Sequence, residues 1–189
     1  MPDKPIDQQR VCPWWLCFTF DNPVRKLLHN PEAILKPYVK PGNTLIDVGA
    51  GMGYFTIPLA KLVGPTGRVT AIDIQTQMLS ALTRRAQRHG VSERITPHLA
   101  EPDSLGQHAK ADFILAFWMV HEVSDQKKFL AEIYKLLKPD GLFLIVEPKI
   151  HVSKRNFSRT METAKEVGFS VKENPGIRIS HSALLSRGK

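Results

Sequence analysis

Only two cysteines occur in the 189 residues, Cys12 and Cys17, both near the N-terminus. A disulfide-stapled secreted domain spreads paired cysteines along its chain, so reduced thiols in a cytosol are the simpler reading. A C-x-x-x-x-C pair with only His29 nearby does not supply a four-ligand zinc set, and no metal is expected. Long apolar runs are also missing: the longest, Phe113 to Val120, is far too short to span a bilayer. Residues 1–10 carry no basic stretch followed by an apolar one, so no secretory leader is expected and the location is expected to be cytoplasmic. Acidic residues are the minority, with 18 Asp plus Glu against 26 Lys plus Arg and a net charge of +8. That excess suits an anionic substrate, a nucleic acid or a solvated basic surface. It is spread over Arg84, Arg85 and Arg88, over Lys149, Lys154, Arg155 and Arg159, and over a tail ending in Arg187 and Lys189. Internal repeats and low-complexity tracts are lacking as well, and the length fits one domain.

What is present from Thr44 onward is an alternation of short β-rich runs with helical segments, the pattern of βαβ units and a mainly parallel sheet. Strands are expected at Thr44–Val48, Arg68–Asp73, Ile95–Leu99, Phe113–Phe117 and Leu142–Glu147, each next to turn chemistry. The fourth, FILAF, is apolar without alternation, as a strand covered on both faces must be, which makes it central. Helices are expected at Tyr54–Val63, Thr76–His89, Asp125–Leu137 and Ser153–Val167. Pro58 forces the first of these to start late or kinks its first turns, and Gly168 stops the last. Two closing strands are expected near Ser170–Glu173 and Ile177–Leu184.

The most informative segment is LIDVGAGMGY, Leu45 to Tyr54, a strand running into glycines and then a helix. Glycines there turn the backbone sharply and bring it against a ligand without side-chain collision. A dinucleotide fingerprint G-x-G-x-x-G starting at Gly49 needs glycine at 54, where tyrosine stands. The order is instead Asp47, one residue, then Gly49, Gly51 and Gly53. An acidic residue ahead of the glycines suits a ligand that carries an ammonium group and no pyrophosphate.

On these residues the chain resembles the class I S-adenosylmethionine-dependent methyltransferases, over about Pro41 to Glu147. The resemblance implies a Rossmann-like doubly wound α/β sheet of seven strands in the order 3-2-1-4-5-7-6, the last antiparallel, with helices on both faces. It also implies S-adenosylmethionine as cofactor and S-adenosylhomocysteine as product. Asp73, closing the second strand about 20 residues after the glycines, matches the acidic residue that holds both ribose hydroxyls. In LAEPDSL, Glu101 stands where Asp is usual and Pro102 where a small residue is usual, so either Glu101 or Asp103 is the adenine contact. The implied cofactor set is Asp47, Gly49, Ala50, Gly51, Gly53, Asp73, Ile74, Glu101, Pro102 and Phe117. LKPDG, Leu137 to Gly141, looks like the family's turn into strand five.

Methyl transfer is an in-line displacement at a carbon already activated by sulfur, so positioning and water exclusion dominate. A base, where one is needed, belongs at the end of strand four, which reads FWMVHE. His121, with its near-neutral pKa, is the candidate or else only hydrogen-bonds a loop; Glu122 follows, and Glu147 at the end of strand five either joins it or serves to cap or anchor a lid. Trp118 either covers the sulfonium through a cation–π contact or packs in the core. His151 lies at the same sheet edge, in contact with substrate or anchoring a lid. Residues 1–40 form an N-terminal extension ahead of a cofactor-binding domain at 41–189. Its Trp14 and Trp15 either cover donor and acceptor or pack on the sheet's flank. The lack of an N/D-P-P-Y/F tetrad after strand four argues against amino groups of nucleobases as acceptors. A small-molecule acceptor is the leading expectation for a monomer or homodimer. A tRNA or rRNA acceptor and a non-catalytic cofactor-binding module are the alternatives. Arsenic methyltransferases resemble this domain too, but they use several cysteines, and none lies beyond Cys17.

Overall fold

The computed structural model describes residues 29–107 and 109–188. Cys12, Trp14, Trp15, Cys17 and most of the helix expected at Val24–His29 lie outside the described residues. Among the described residues five helices accompany seven strands: α1 Pro31–Leu35, β1 Thr44–Val48, α2 Thr56–Leu62, β2 Arg68–Asp73, α3 Thr76–Arg88, β3 Ile95–Leu99, β4 Ala111–Phe117, α4 Gln126–Leu136, β5 Leu137–Pro148, α5 Lys154–Val167, β6 Phe169–Glu173 and β7 Ser180–Arg187. The sheet order is β3-β2-β1-β4-β5-β7-β6, with β7 antiparallel to both of its neighbours and the other pairings parallel. The expected order and the antiparallel last strand are both observed.

Strand alternation sends neighbouring residues to opposite faces and so builds two cores. Leu45, Val69, Phe113, Leu115 and Leu144 pack on the side of α1 to α3. Ile46, Ile72, Ile114, Phe143 and Ile145 pack with Phe129, Ile133 and Phe157 of α4 and α5. Central β4 is covered on both faces, which is why its sequence shows no polar alternation. At the other extreme, β3 is an edge strand and tolerates Pro97, whose missing N–H would break a ladder in the sheet's interior.

Helix ends follow local chemistry. Asp125 accepts the Lys128 N–H at the start of α4, Ser153 accepts that of Asn156 at the start of α5, and Gly168 closes α5 at φ 114°. Helix α2 is shorter than expected, starting at Thr56 so that Pro58 falls in its first turn, where a missing N–H breaks nothing. Strand β5 starts earlier than expected, because Leu137 pairs with Ala111 before residues 138–141 bulge and Leu142 resumes opposite Phe113. A Cβ at Gly141 would sit 2.9 Å from the Ala111 carbonyl oxygen, so this close approach needs glycine. The last strand is Ser180–Arg187 rather than Ile177–Leu184, since the chain first turns through Ile179 at φ 52°.

At the end of β1, Asp47 is 3% exposed and accepts the Thr56 hydroxyl at 2.6 Å, tying the strand to the first turn of α2. Burial pushes its carboxyl from 3.8 up to about 7; the Thr56 hydrogen bond works against this, and the Asp73 charge adds to it. In the unfolded chain the group ionises near 3.8, so its contribution to stability is complete below that pH and lost as pH rises through about 7. Asp47→Asn keeps an acceptor for Thr56 and removes the titration. Denaturant unfolding of the cofactor-free proteins should show wild type losing on the order of 2–4 kcal/mol relative to the variant between about pH 4 and pH 8. Parallel stability curves would contradict the burial assignment.

Candidate active site

Parallel strands β1, β2, β4 and β5 all end at one sheet edge, and the strand order reverses between β1 and β4, the place where open α/β sheets bind ligands. The glycine loop lies there. Gly49 and Ala50 donate to the Ile72 carbonyl at 2.9 and 3.0 Å, which folds the loop back over the end of β2. Gly49, Gly51 and Gly53 adopt φ of 71°, 53° and 86°, a region L-residues avoid. Their reasons differ: a Cβ on Gly49 would strike the Met119 side chain at 2.8 Å and one on Gly53 would crowd Leu82 at 3.1 Å, whereas one on Gly51 would meet nothing within 4 Å. Open space therefore faces the middle of the loop. A pocket of about 350 Å³ adjoins the loop, lined by Met52, Thr76, Gln77 and Arg84. A larger cavity of about 740 Å³ lies between α5 and the β6–β7 pair, apart from the glycines.

Asp73, 9% exposed at the end of β2, accepts the Gly51 N–H at 2.8 Å on Oδ2 and the Gln75 N–H at 2.9 Å on Oδ1. Burial raises its pKa, and the backbone N–H groups of Gln75, Gly51 and Ile74 oppose that rise. A carboxylate has about four lone-pair positions, so each oxygen retains room for one more donor. Ile74 beside it is 41% exposed, an apolar surface at the strand end. Asp47 lies beneath the loop, bonded to Thr56, rather than on the open side where an ammonium group would meet it. Glu101 and Pro102 are exposed after β3, with Glu101 in a short bridge to Ser104 and the Ala100 N–H on the Asp73 carbonyl. Asp103 turns to the surface and pairs with Lys128 of α4 at 3.4 Å. Of the two candidates, Glu101 is the one left beside the strand end.

Beyond β4 the chain turns at Trp118, φ 60°, into a 3-10 turn at Val120–Glu122. Phe117 packs against Phe55 at 4.2 Å between ring centres, and buried His29 stands edge-on to both Phe117 and Trp118. The Trp118 indole N–H donates to Ser180 Oγ at 3.0 Å, so its polar edge is held by β7 and its ring packs on neighbouring aromatics. Glu147, 3% exposed at its side chain, accepts the backbone N–H groups of Val120 at 3.0 Å and His121 at 3.1 Å, and its Oε2 lies 2.6 Å from His121 Nδ1. Burial lowers the His121 pKa, but the Glu147 hydrogen bond and charge, with the Glu122 charge, outweigh this and hold it above 6.5. The exposed His151 ring stacks on His121 at 5.8 Å.

The fold thus brings together Gly51 and Asp73 on one side of the cleft and His121, Glu147 and His151 on the other. Thr56, Met119 and Ser180 were not singled out by sequence. Thr56 stands three residues past the last glycine, a spacing that could have flagged it, but Ser180 is 62 residues from Trp118 and leaves no local signal.

Residues 39–181 match the family described as "Methyltransferase domain". The chain is 30% identical over 110 residues to the ubiquinone/menaquinone biosynthesis C-methyltransferase UbiE of Hydrogenovibrio crunogenus, covering 58% of this chain and 43% of that protein. It is 31% identical over 117 residues to a demethylmenaquinone methyltransferase of Symbiobacterium thermophilum, covering 61% and 47%. It therefore spans less than half the length of these curated relatives. A solved SAM-dependent methyltransferase from Aquifex aeolicus superposes with a TM-score of 0.83 at 25% identity, covering 93% of this chain and 98% of that one. With a family match across three quarters of its length and the family's strand order in its sheet, the chain belongs to the class I S-adenosylmethionine-dependent methyltransferases.

Proposed function

We propose that this domain transfers a methyl group from S-adenosylmethionine to a small-molecule acceptor lying over the ends of β4 and β5. The observation that carries the cofactor half is Asp73. Its carboxylate is buried and fixed by two backbone N–H groups, with acceptor capacity left for a ribose diol, and the open space before Gly51 admits the ligand. Gly49, Ala50, Gly51 and Gly53 bring backbone against the ligand. Asp47 holds the loop from below, and Ile74, Glu101, Pro102 and Phe117 flank the adenosyl side. When bound, the cofactor supplies an electrophilic methyl carbon. The protein's own task is then to orient the acceptor and exclude water, through Phe117 and Trp118, with His121 and Glu147 on the acceptor side. The catalytic domain of this reading is 41–189, with Leu35 and Val39 just ahead of it packed into its core.

Support for a small acceptor comes from the curated relatives, whose names place them in ubiquinone and menaquinone biosynthesis. Among the described residues no helix is long and apolar enough to cross a membrane.

Isothermal titration with S-adenosylhomocysteine should show Asp73→Ala weakening binding by about 100-fold, the worth of two charge-assisted hydrogen bonds at roughly 1.5 kcal/mol each. Equal affinity would remove Asp73 from the site. A second comparison separates strain from contact. Gly51 and Gly64 both have positive φ and open space where a Cβ would go, so Gly51→Ala and Gly64→Ala should each lower stability by about 1–2 kcal/mol. Only Gly51→Ala should also weaken cofactor binding; equal affinities for the two variants would place the ligand elsewhere.

A further inference from the structure

We propose, resting on the acceptor side assigned above, that His121 takes a proton from the acceptor while Glu147 positions it, which makes the acceptor a hydroxyaromatic or enolic molecule. Glu147 is a buried carboxylate with three donors aimed at it, two from the backbone of the turn and the third from the His121 ring. The two backbone bonds are enough to hold the turn, and the ring contact does something more. An ionised carboxylate only accepts, so the His121 nitrogen 2.6 Å away carries the proton and the neutral ring keeps its lone pair on Nε2. The side chain is 25% exposed, so the ring is not sealed in the core.

Every neighbour of the ring bears on its charge. Glu147 comes from β5 and Glu122 from the same turn, and both favour the imidazolium. His151, from the segment after β5, stacks on the ring at 14° between planes. At the start of α4, neutral Gln126 donates its amide to the Val120 carbonyl of the same turn. A base of this kind matters little to a neutral amine, which attacks with a lone pair it already has. It matters most to a hydroxyl with a pKa of about 10, ionised to roughly 0.1% at neutral pH. As the O–H proton passes to Nε2, the freed electron pair, on oxygen or by conjugation on a ring carbon, bonds to the methyl carbon, and the carbon–sulfur bond pair returns to sulfur. The proton then leaves His121 for water; where carbon is methylated, the ring proton follows by the same route.

The first test needs no turnover. Histidine NMR titration of the cofactor-free protein should find His121 titrating above its ordinary value with its proton on Nδ1 when neutral. Glu147→Gln, which removes the charge but keeps an oxygen acceptor, should lower that midpoint by about one pH unit or more, with His151 little changed. The second test supplies S-adenosylmethionine with catechol or, under argon, 1,4-dihydroxynaphthalene. kcat/KM should rise with pH to a plateau, with its midpoint at the NMR value. His121→Gln, checked for an unchanged melting temperature, should lower kcat by about 100-fold or more with KM within about threefold. A midpoint unmoved by Glu147→Gln, near-wild-type kcat in His121→Gln, or no transfer to either hydroxyaromatic by a protein that binds S-adenosylhomocysteine would each overturn the proposal. Failure of wild type to bind S-adenosylhomocysteine would instead strike the cofactor reading beneath it.

Discussion

The bond from the Gly51 N–H to the Asp73 carboxylate, 2.8 Å long, joins the loop after β1 to the end of β2 and sets the shape of the cleft. Without it the loop is tied to β2 through the Ile72 carbonyl alone, and Asp73 keeps only the N–H groups of Gln75 and Ile74 to offset its burial. A buried carboxylate is costly unless several donors converge on it, and donors in a glycine loop stay put only when something accepts them. Each half of the pair therefore makes the other tolerable, and the position in space they share is where a ligand's hydroxyls would add to the same network.

Glu147 repeats this logic on the other side of the topological switch, where a buried acid at the end of β5 gathers the N–H groups of the turn after β4. Both sides thus rest on a carboxylate at a strand's C-terminal end collecting backbone donors from the neighbouring loop. The parallel sheet makes this possible, because it delivers successive strand ends, and the loops that leave them, to the same edge.

The glycine loop and the strands themselves were legible because each depends on residues close in sequence or on a periodic pattern, whereas the order of the strands came with the family resemblance. LIDVGAGMGY carries its own turn chemistry, and FILAF carries its own burial. The roles of Asp47 and Trp118 were not legible. Nothing in the local sequence shows that the Thr56 hydroxyl donates to Asp47, or decides whether Trp118 covers the sulfonium or packs in the core, because Ser180, which takes its N–H, lies 62 residues away. The early start of β5 depends on Leu137 lying opposite Ala111, a pairing across 26 positions that no local preference announces. Asp103 was an equal candidate to Glu101 until Lys128, on a distant helix, drew it to the surface.

The antiparallel course of β7 has a practical side. Ser180 lies opposite Pro148 at the reactive edge while Ser186 lies opposite Leu142 at the far one, so the strand enters beside the chemistry and exits behind it. Anything joined after Arg187, whether an affinity handle, a dye or a tether to a sensor chip, would hang from the rear of the sheet and leave the mouth of the cleft unobstructed.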